Sequence, residues 1–201
     1  MQAWPLRIPQ EQFSQRYNTH AVLGGVFTAR ECRQIIDLVE QQEQIHEAVI
    51  DQKGRPELAA QVRQSRVAWL KPELESYAWI YQRCTAAVLQ VNNHDWQFDL
   101  DYIDPLQFTL YTRQGDHYGW HIDNLSEGST YRKLSFSIQL SQPAAYDGGD
   151  LEILMGPEAT KMPREQGVFT AFPSITTHRV TPVTRGERYS LVGWCTGPKF
   201  R

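Results

Sequence analysis

The sequence predicts an α+β fold: a double-stranded β-helix, or jelly-roll barrel, with N-terminal helices packed on one of its sheets. Two stretches with helical period lie ahead of Trp96, and about eight short β-type runs follow it. Glycine-bearing turns separate those runs, at Gln114-Gly115-Asp116, Asp147-Gly148-Gly149 and Arg185-Gly186-Glu187. Closing many short strands into a barrel or a double sheet is the economical way to cover their edges.

The first helix is expected from Thr28 to Gln44. Thr28 and Glu31 fit a capping box, and Cys32, Ile35, Ile36 and Val39 recur at i, i+3, i+4 and i+7, which makes one buried stripe. His46 to Gln64 is polar, contains Gly54-Arg55-Pro56 and has no sustained period, so it reads as a long loop. Ser65 to Leu70 alternates and reads as a strand. Lys71-Pro72 then opens a second helix, with Leu74, Tyr77, Ala78, Tyr81, Thr85, Val88 and Leu89 as its face and an end near Asn92-Asn93. Strands are expected at Phe98–Asp101, Leu106–Thr112, Tyr118–His121, Lys133–Leu140, Leu151–Met155, Gly167–Phe172, Thr177–Val183 and Arg188–Cys195. The whole chain of 201 residues reads as a single domain, with helical and strand support over 1–95 and the jelly-roll core over 96–201.

Composition narrows the function. With 41% apolar and 21% charged residues the chain is an ordinary globule, and no run approaches the roughly 18 apolar residues a bilayer span needs. The first ten residues lack a signal-peptide pattern, so a cytoplasmic location without membrane attachment is expected. Cys32, Cys84 and Cys195 are odd in number and widely spaced, which suggests buried free thiols. A net charge of −3 leaves no electrostatic footprint for nucleic acid, and none is expected as a partner. Oligomeric state is not legible.

Chemistry concentrates in "HYGWHIDN", His117 to Asn124. His121-Ile122-Asp123 is an H-x-D triplet on or just after a strand, where period-two alternation aims both side chains at one face. That suits a divalent metal, although a hydrogen-bonded histidine in a barrel wall would look the same. His178 offers a third ligand; two histidines and a carboxylate form the facial triad of non-haem iron sites. His20, His46 and His94 lie outside the barrel strands, and His117 shares the face of His121 nearer the preceding turn, as a neighbour of the metal or substrate. Arg188 follows the Gly186 turn. A buried arginine needs an anion, and its planar fork matches a carboxylate; a surface pairing with Glu187 or Asp150 is the alternative.

Taken together, the spaced motifs Y-x(9)-H-x-D, D-G-G-D-L, F-P-S, H-x-V-x-P-V, G-x-R and W resemble the iron(II)/2-oxoglutarate dioxygenases of the prolyl 4-hydroxylase-like group, from about residue 21 to the C-terminus. The resemblance implies iron ligands His121, Asp123 and His178. It implies Arg188 as the partner of the distal carboxylate of 2-oxoglutarate, Tyr111 as a cosubstrate contact and Trp194 as an aromatic beside the substrate opening. Gln139 stands where many relatives have a tyrosine, with cosubstrate hydrogen bonding as its implied role. The implied cofactors are Fe(II), 2-oxoglutarate and O2, with ascorbate a candidate stimulant.

The implied reaction is hydroxylation of a C–H bond in a peptide side chain, an amino acid or another small metabolite, with 2-oxoglutarate converted to succinate and CO2. A carboxylate at Asp123 favours hydroxylation over halogenation, which usually goes with a small residue there. Substrate contacts are expected from Trp120, Asn124 and Trp194, and from the segments His46–Gln64 and Asn124–Tyr131. Two other readings share the scaffold: an oxidative demethylase of nucleic acid, which the acidic balance disfavours, and a non-catalytic metal or 2-oxoglutarate sensor.

Overall fold

The computed structural model describes residues 18–48, 62–124 and 131–199. Helix α1 (Ala29–Gln42) starts where expected. The Thr28 hydroxyl accepts from the Glu31 backbone and the Glu31 carboxylate accepts from the Thr28 backbone, which completes the capping box. Cys32, Ile35 and Val39 form its buried stripe.

Helix α2 (Ala78–Val91) departs from the expectation at its start and in its face. Pro72 closes a turn in which the Leu74 amide bonds the Lys71 carbonyl, Leu74 is extended, and a 3-10 turn at Glu75–Tyr77 leads into the helix. The buried stripe is Ile80, Cys84, Ala87, Val88 and Val91, whereas Leu74 and Leu89 are exposed. The helix lies on the sheet through the small residues Cys84 and Ala87, a face that bulk hydrophobicity alone does not mark.

Fifteen strands are present among the described residues. They are β1 (Ala21–Leu23), β2 (His46–Glu47), β3 (Arg63–Gln64), β4 (Arg66–Leu70), β5 (Tyr102–Ile103), β6 (Leu106–Tyr111), β7 (His117–His121), β8 (Arg132–Gln139), β9 (Tyr146–Gly148), β10 (Leu151–Leu154), β11 (Ala159–Lys161), β12 (Phe169–Pro173), β13 (Thr177–Val180), β14 (Val183–Gly186) and β15 (Arg188–Thr196). All pair antiparallel. The larger sheet runs β1-β12-β8-β15-β6-β4-β2 with β5 also on β15; the smaller runs β11-β10-β13-β7-β3, and β14 pairs β9. Both sheets contribute to the walls of one cavity, in the predicted jelly-roll manner.

Three strand expectations change. Residues 98–101 do not form a strand, because the Asn92 side chain takes both backbone groups of Phe98, accepting from its amide at 3.0 Å and donating to its carbonyl at 2.9 Å. Thr177–Val183 divides at Thr181-Pro182: the Thr181 amide turns to the Asp150 carbonyl, proline has no donor, and the chain resumes as β14 against β9. The ends of the expected loop His46–Gln64 are short strands, β2 and β3, while residues 49–61 lie outside the described set, as do residues 125–130 of the second expected loop.

One apolar core fills the space between the helices and the outer face of the larger sheet, built from Phe27, Ile35, Ile80, Leu106, Phe108, Phe136, Ile138 and Leu191 among others. A second, smaller cluster (Tyr111, Leu151, Ile153, Phe172, Val180, Val183) faces the other way. Alternation along β15 shows the division of labour: Leu191 and Cys195 enter the helix-side core, whereas Arg188, Ser190, Val192 and Trp194 line the cavity.

All three cysteines are free and buried, as expected, and burial pushes the thiols of Cys32 and Cys195 up to about 11 and about 12. A thiol reagent at pH 8 is therefore expected to label none of them in the native protein and all three in denaturant. Labelling of the native fold at the denatured rate would contradict this packing. No helix among the described residues is long and apolar enough to cross a membrane.

Candidate active site

His121 ends β7 and His178 lies on β13, and the two strands pair with His121 directly opposite His178. Their rings meet at 4.1 Å between centroids. Asp123, two residues past His121, is anchored by its amide on the Ser174 carbonyl at 3.1 Å and aims its carboxylate between the two imidazoles. His121 Nε2 lies 3.5 Å from Asp123 Oδ1, and His178 Nε2 lies 3.5 Å from Asp123 Oδ2. Metal–donor bonds of about 2.1 Å at right angles put neighbouring ligand atoms about 3 Å apart, so one small divalent cation fits this spacing. One donor atom from each of the three residues lies within 4.8 Å of the others.

Each imidazole is oriented by its own strand. His121 Nδ1 donates to the Gly119 carbonyl at 2.9 Å and His178 Nδ1 to the Thr176 carbonyl at 2.9 Å, which leaves both Nε2 lone pairs for a metal. The Ser135 hydroxyl, itself 2.9 Å from that of Ser174, donates to Asp123 Oδ2 at 2.7 Å. Burial works against charge on Asp123, but His178, His121 and Ser135 outweigh it and hold the carboxyl well below its usual range. Burial, opposed by Asp123 and aided by His121, lowers the His178 imidazole below its ordinary value. An ionised carboxylate beside neutral imidazoles is the donor set a divalent first-row ion such as Fe(II) takes.

Beside these residues lies a cleft enclosing about 460 Å³ together with the open space at its mouth. Arg188 lines it and is 1% exposed, which disposes of the surface alternative; Asp150 is taken by Lys161 and Arg164. Arg188 donates to Ser190 Oγ at 3.2 Å, while its Nε and Nη2 have no partner among the described residues. Buried donors left without a partner fit an anionic ligand, and the fork suits a carboxylate. Tyr111 stands across from Arg188 in the β6–β15 register, its ring centroid 5.2 Å from the guanidinium carbon.

The D-G-G-D-L motif makes room for that arginine. Gly148 and Gly149 have φ of +69° and +62°, and a Cβ on Gly149 would approach Arg188 Cδ to 3.0 Å.

The structure thus brings His121, Asp123, His178, Arg188, Tyr111 and Trp194 to one cavity. Trp194 forms part of the wall, with the Arg132 guanidinium 4.1 Å above its ring. Three of the expected site residues lie outside the cavity lining. Trp120 alternates to the outer face of β7, 39% exposed under the Arg179 guanidinium. Gln139 shares the face of Ser135 and Ser137 but lies one pleat past Ser137, beyond the cavity lining. Asn124 follows the chain into a turn and does not line the cavity. His117, outside the metal cluster, bonds the Gly115 carbonyl through Nδ1 at 2.8 Å.

Sequence reasoning missed Arg63, Gln107, Thr109, Tyr118 and Ser135 as lining residues. Polar residues at alternate positions of the otherwise apolar β6 and β8 were the available signal for Gln107, Thr109 and Ser135. Tyr118 stacks on His121 at 3.6 Å and 10°, and burial pushes its hydroxyl up to about 12.

Residues 106–196 match the 2OG-Fe(II) oxygenase superfamily. A PKHD-type hydroxylase of Hyphomonas neptunium is 44% identical over 103 residues, 46% of this chain and 45% of the relative. One from a Synechococcus species is 47% identical over 81 residues, 40% of this chain and 36% of the relative. These matches span less than half the length of the curated relatives. Among solved structures, a Pseudomonas putida prolyl-4-hydroxylase superposes with a TM-score of 0.69 at 19% identity over 90% of this chain and 94% of its own. A Trichoplax adhaerens prolyl hydroxylase, solved with a hypoxia inducible factor peptide fragment, gives 0.74 at 15% identity over 89% of this chain and 84% of its own. The structural likenesses carry the fold. The sequence match covers every residue of the metal cluster together with Arg188, so over residues 106–196 the chain is similar to the 2OG-Fe(II) oxygenase superfamily, and its fold has the architecture of the prolyl 4-hydroxylases.

Proposed function

We propose that the protein is an iron(II)- and 2-oxoglutarate-dependent hydroxylase acting on a C–H bond of a peptide side chain, an amino acid or another small metabolite. The observation that carries this reading is the pairing, in one cavity, of the His121–Asp123–His178 cluster with a buried arginine whose Nε and Nη2 are unpartnered among the described residues. In it His121, Asp123 and His178 hold the metal and Arg188 holds the distal carboxylate of 2-oxoglutarate beside Tyr111. When bound, iron(II), 2-oxoglutarate and dioxygen supply the oxidation: one oxygen atom ends in the substrate as a hydroxyl and the other in succinate, with release of CO2.

The chain's own contribution is placement and exclusion. The backbone carbonyls of Gly119 and Thr176 fix the two imidazole tautomers, and Ser135 keeps the Asp123 carboxylate oriented. Leu151, Phe172, Val180, Val192 and Trp194 wall the cavity against water. Asp123 keeps one metal position filled by protein, which favours hydroxylation over halogenation. The chain acts as a single domain: the early strands β1, β2 and β4 extend the larger sheet and β3 extends the smaller. Three free, buried thiols fit a reducing compartment such as the cytoplasm.

Purified protein with Fe(II), 2-oxoglutarate and ascorbate is expected to form succinate slowly alone and faster with a substrate, which gains one oxygen by mass spectrometry. Iron-loaded protein that neither binds 2-oxoglutarate nor forms succinate overturns the reading. Binding without any decarboxylation points instead to the sensor.

A further inference from the structure

Arg63 occupies an unusual position for a cation. It sits on β3 opposite Tyr118, its guanidinium carbon 4.5 Å from the Tyr118 ring centroid, and that ring in turn stacks on His121. A single aromatic ring therefore separates Arg63 from the metal cluster, and Arg63 lines the same cavity. Two neutral acceptors aim it: Nε donates to Ser65 Oγ at 2.8 Å and Nη2 to Gln107 Oε1 at 2.8 Å. Neither neutralises it. Neighbouring arginines differ, because Arg132 pairs with Asp104 and Arg179 with Glu152, whereas Arg63 has no carboxylate partner among the described residues.

Charge balance gives this cation a purpose. Asp123 is the only acidic residue lining the cavity among the described residues. In the loaded site a dication, the Asp123 carboxylate, dianionic 2-oxoglutarate and Arg188 cancel. Among the described residues Arg63 is left as one uncompensated positive charge, half-buried in the wall of the same cavity. A cation so placed is costly without an anion, and a guanidinium already oriented by Ser65 and Gln107 loses little freedom when it binds one.

We propose that Arg63 seats a carboxylate of the substrate, so that the hydroxylated C–H belongs to an acid-bearing molecule: a free carboxylic acid or a peptide with an acidic side chain. This rests on the hydroxylase reading above and names the substrate class for it. Arg63 is then a binding residue that sets which C–H faces the metal. Tyr118, stacked on His121 and beneath the Arg63 guanidinium, acts as the floor of the subsite.

The experiment uses the full chain loaded with Mn(II) and 2-oxoglutarate, and follows paramagnetic broadening of probe proton signals. The probes are matched pairs that differ in one charge: N-acetyl-L-leucine with its amide, and the blocked tripeptide acetyl-Ala-Glu-Ala-amide with its glutamine counterpart. At least one acid is expected to bind tenfold or more tightly than its amide, and the pair that shows it identifies the carboxylate source. Arg63→Gln is expected to bring that pair within about twofold, and Arg63→Lys to retain an intermediate preference, with melting curves showing that each variant is folded. Equal binding within both pairs, or a preference that survives in folded Arg63→Gln, overturns the proposal. Failure of Mn(II) or 2-oxoglutarate to bind is seen before any probe is added, and overturns the hydroxylase reading itself.

Discussion

Arg188→Met is expected to raise the melting temperature of the ligand-free protein and to abolish the further rise that 2-oxoglutarate produces in the wild type. The two effects share one cause. Arg188 is 1% exposed and its guanidinium has Ser190 Oγ and the Tyr111 ring as its contacts among the described residues, with Nε and Nη2 unpartnered. A buried cation without an anion is a standing cost, and apolar replacements of buried charges stabilise by about 1–4 kcal/mol. In a domain of this size each kcal/mol moves the midpoint by about 2–4 °C. Loss of the only charged partner of a desolvated carboxylate costs about 2–5 kcal/mol of binding, so 2-oxoglutarate affinity should fall by about 30-fold or more. Mn(II) affinity should stay unchanged, because no metal-cluster residue touches Arg188 through a described hydrogen bond. Differential scanning fluorimetry with and without Mn(II) and 2-oxoglutarate measures all three. A less stable ligand-free variant that still responds to 2-oxoglutarate would remove Arg188 from the cosubstrate site.

The second large effect concerns the metal. Asp123→Ala leaves two imidazoles and no anionic donor, and metal affinity is expected to fall by well over about 100-fold, beyond the range of a change that only disorients a ligand. Ser135→Ala provides the graded comparison. It removes the hydroxyl donated to Asp123 Oδ2 at 2.7 Å while leaving the donor set whole, and a loss of about 10–100-fold is expected. Titration of Mn(II), followed by electron paramagnetic resonance, reads both. Wild-type affinity in Asp123→Ala would mean that the cation binds elsewhere.

The legible parts of the molecule were those written in local period. The capping box at Thr28 and Glu31, the stripe of α1, the alternation of β6, β8 and β15 and the H-x-D triplet all express geometry within a few residues. What stayed hidden depended on partners distant in sequence or on side chains competing for backbone. Asn92 removes Phe98 from any ladder, and nothing around Phe98 itself announces it. Arg63 falls within what reads as loop, yet β3 joins β7 and carries it to the cavity beside the metal cluster. Trp120 was the opposite case: parity already turned it away from His121, and the strand obeys parity to its end.

The two histidine ligands take their orientation from carbonyls two residues upstream in their own strands, Gly119 for His121 and Thr176 for His178. The aim of each imidazole is therefore encoded within three consecutive residues, independent of what faces it across the cavity. The wall across the cavity, with Gln107, Thr109 and Trp194, makes no hydrogen bond to either ring among the described residues, so a substitution there is expected to leave both imidazoles pointing as they do.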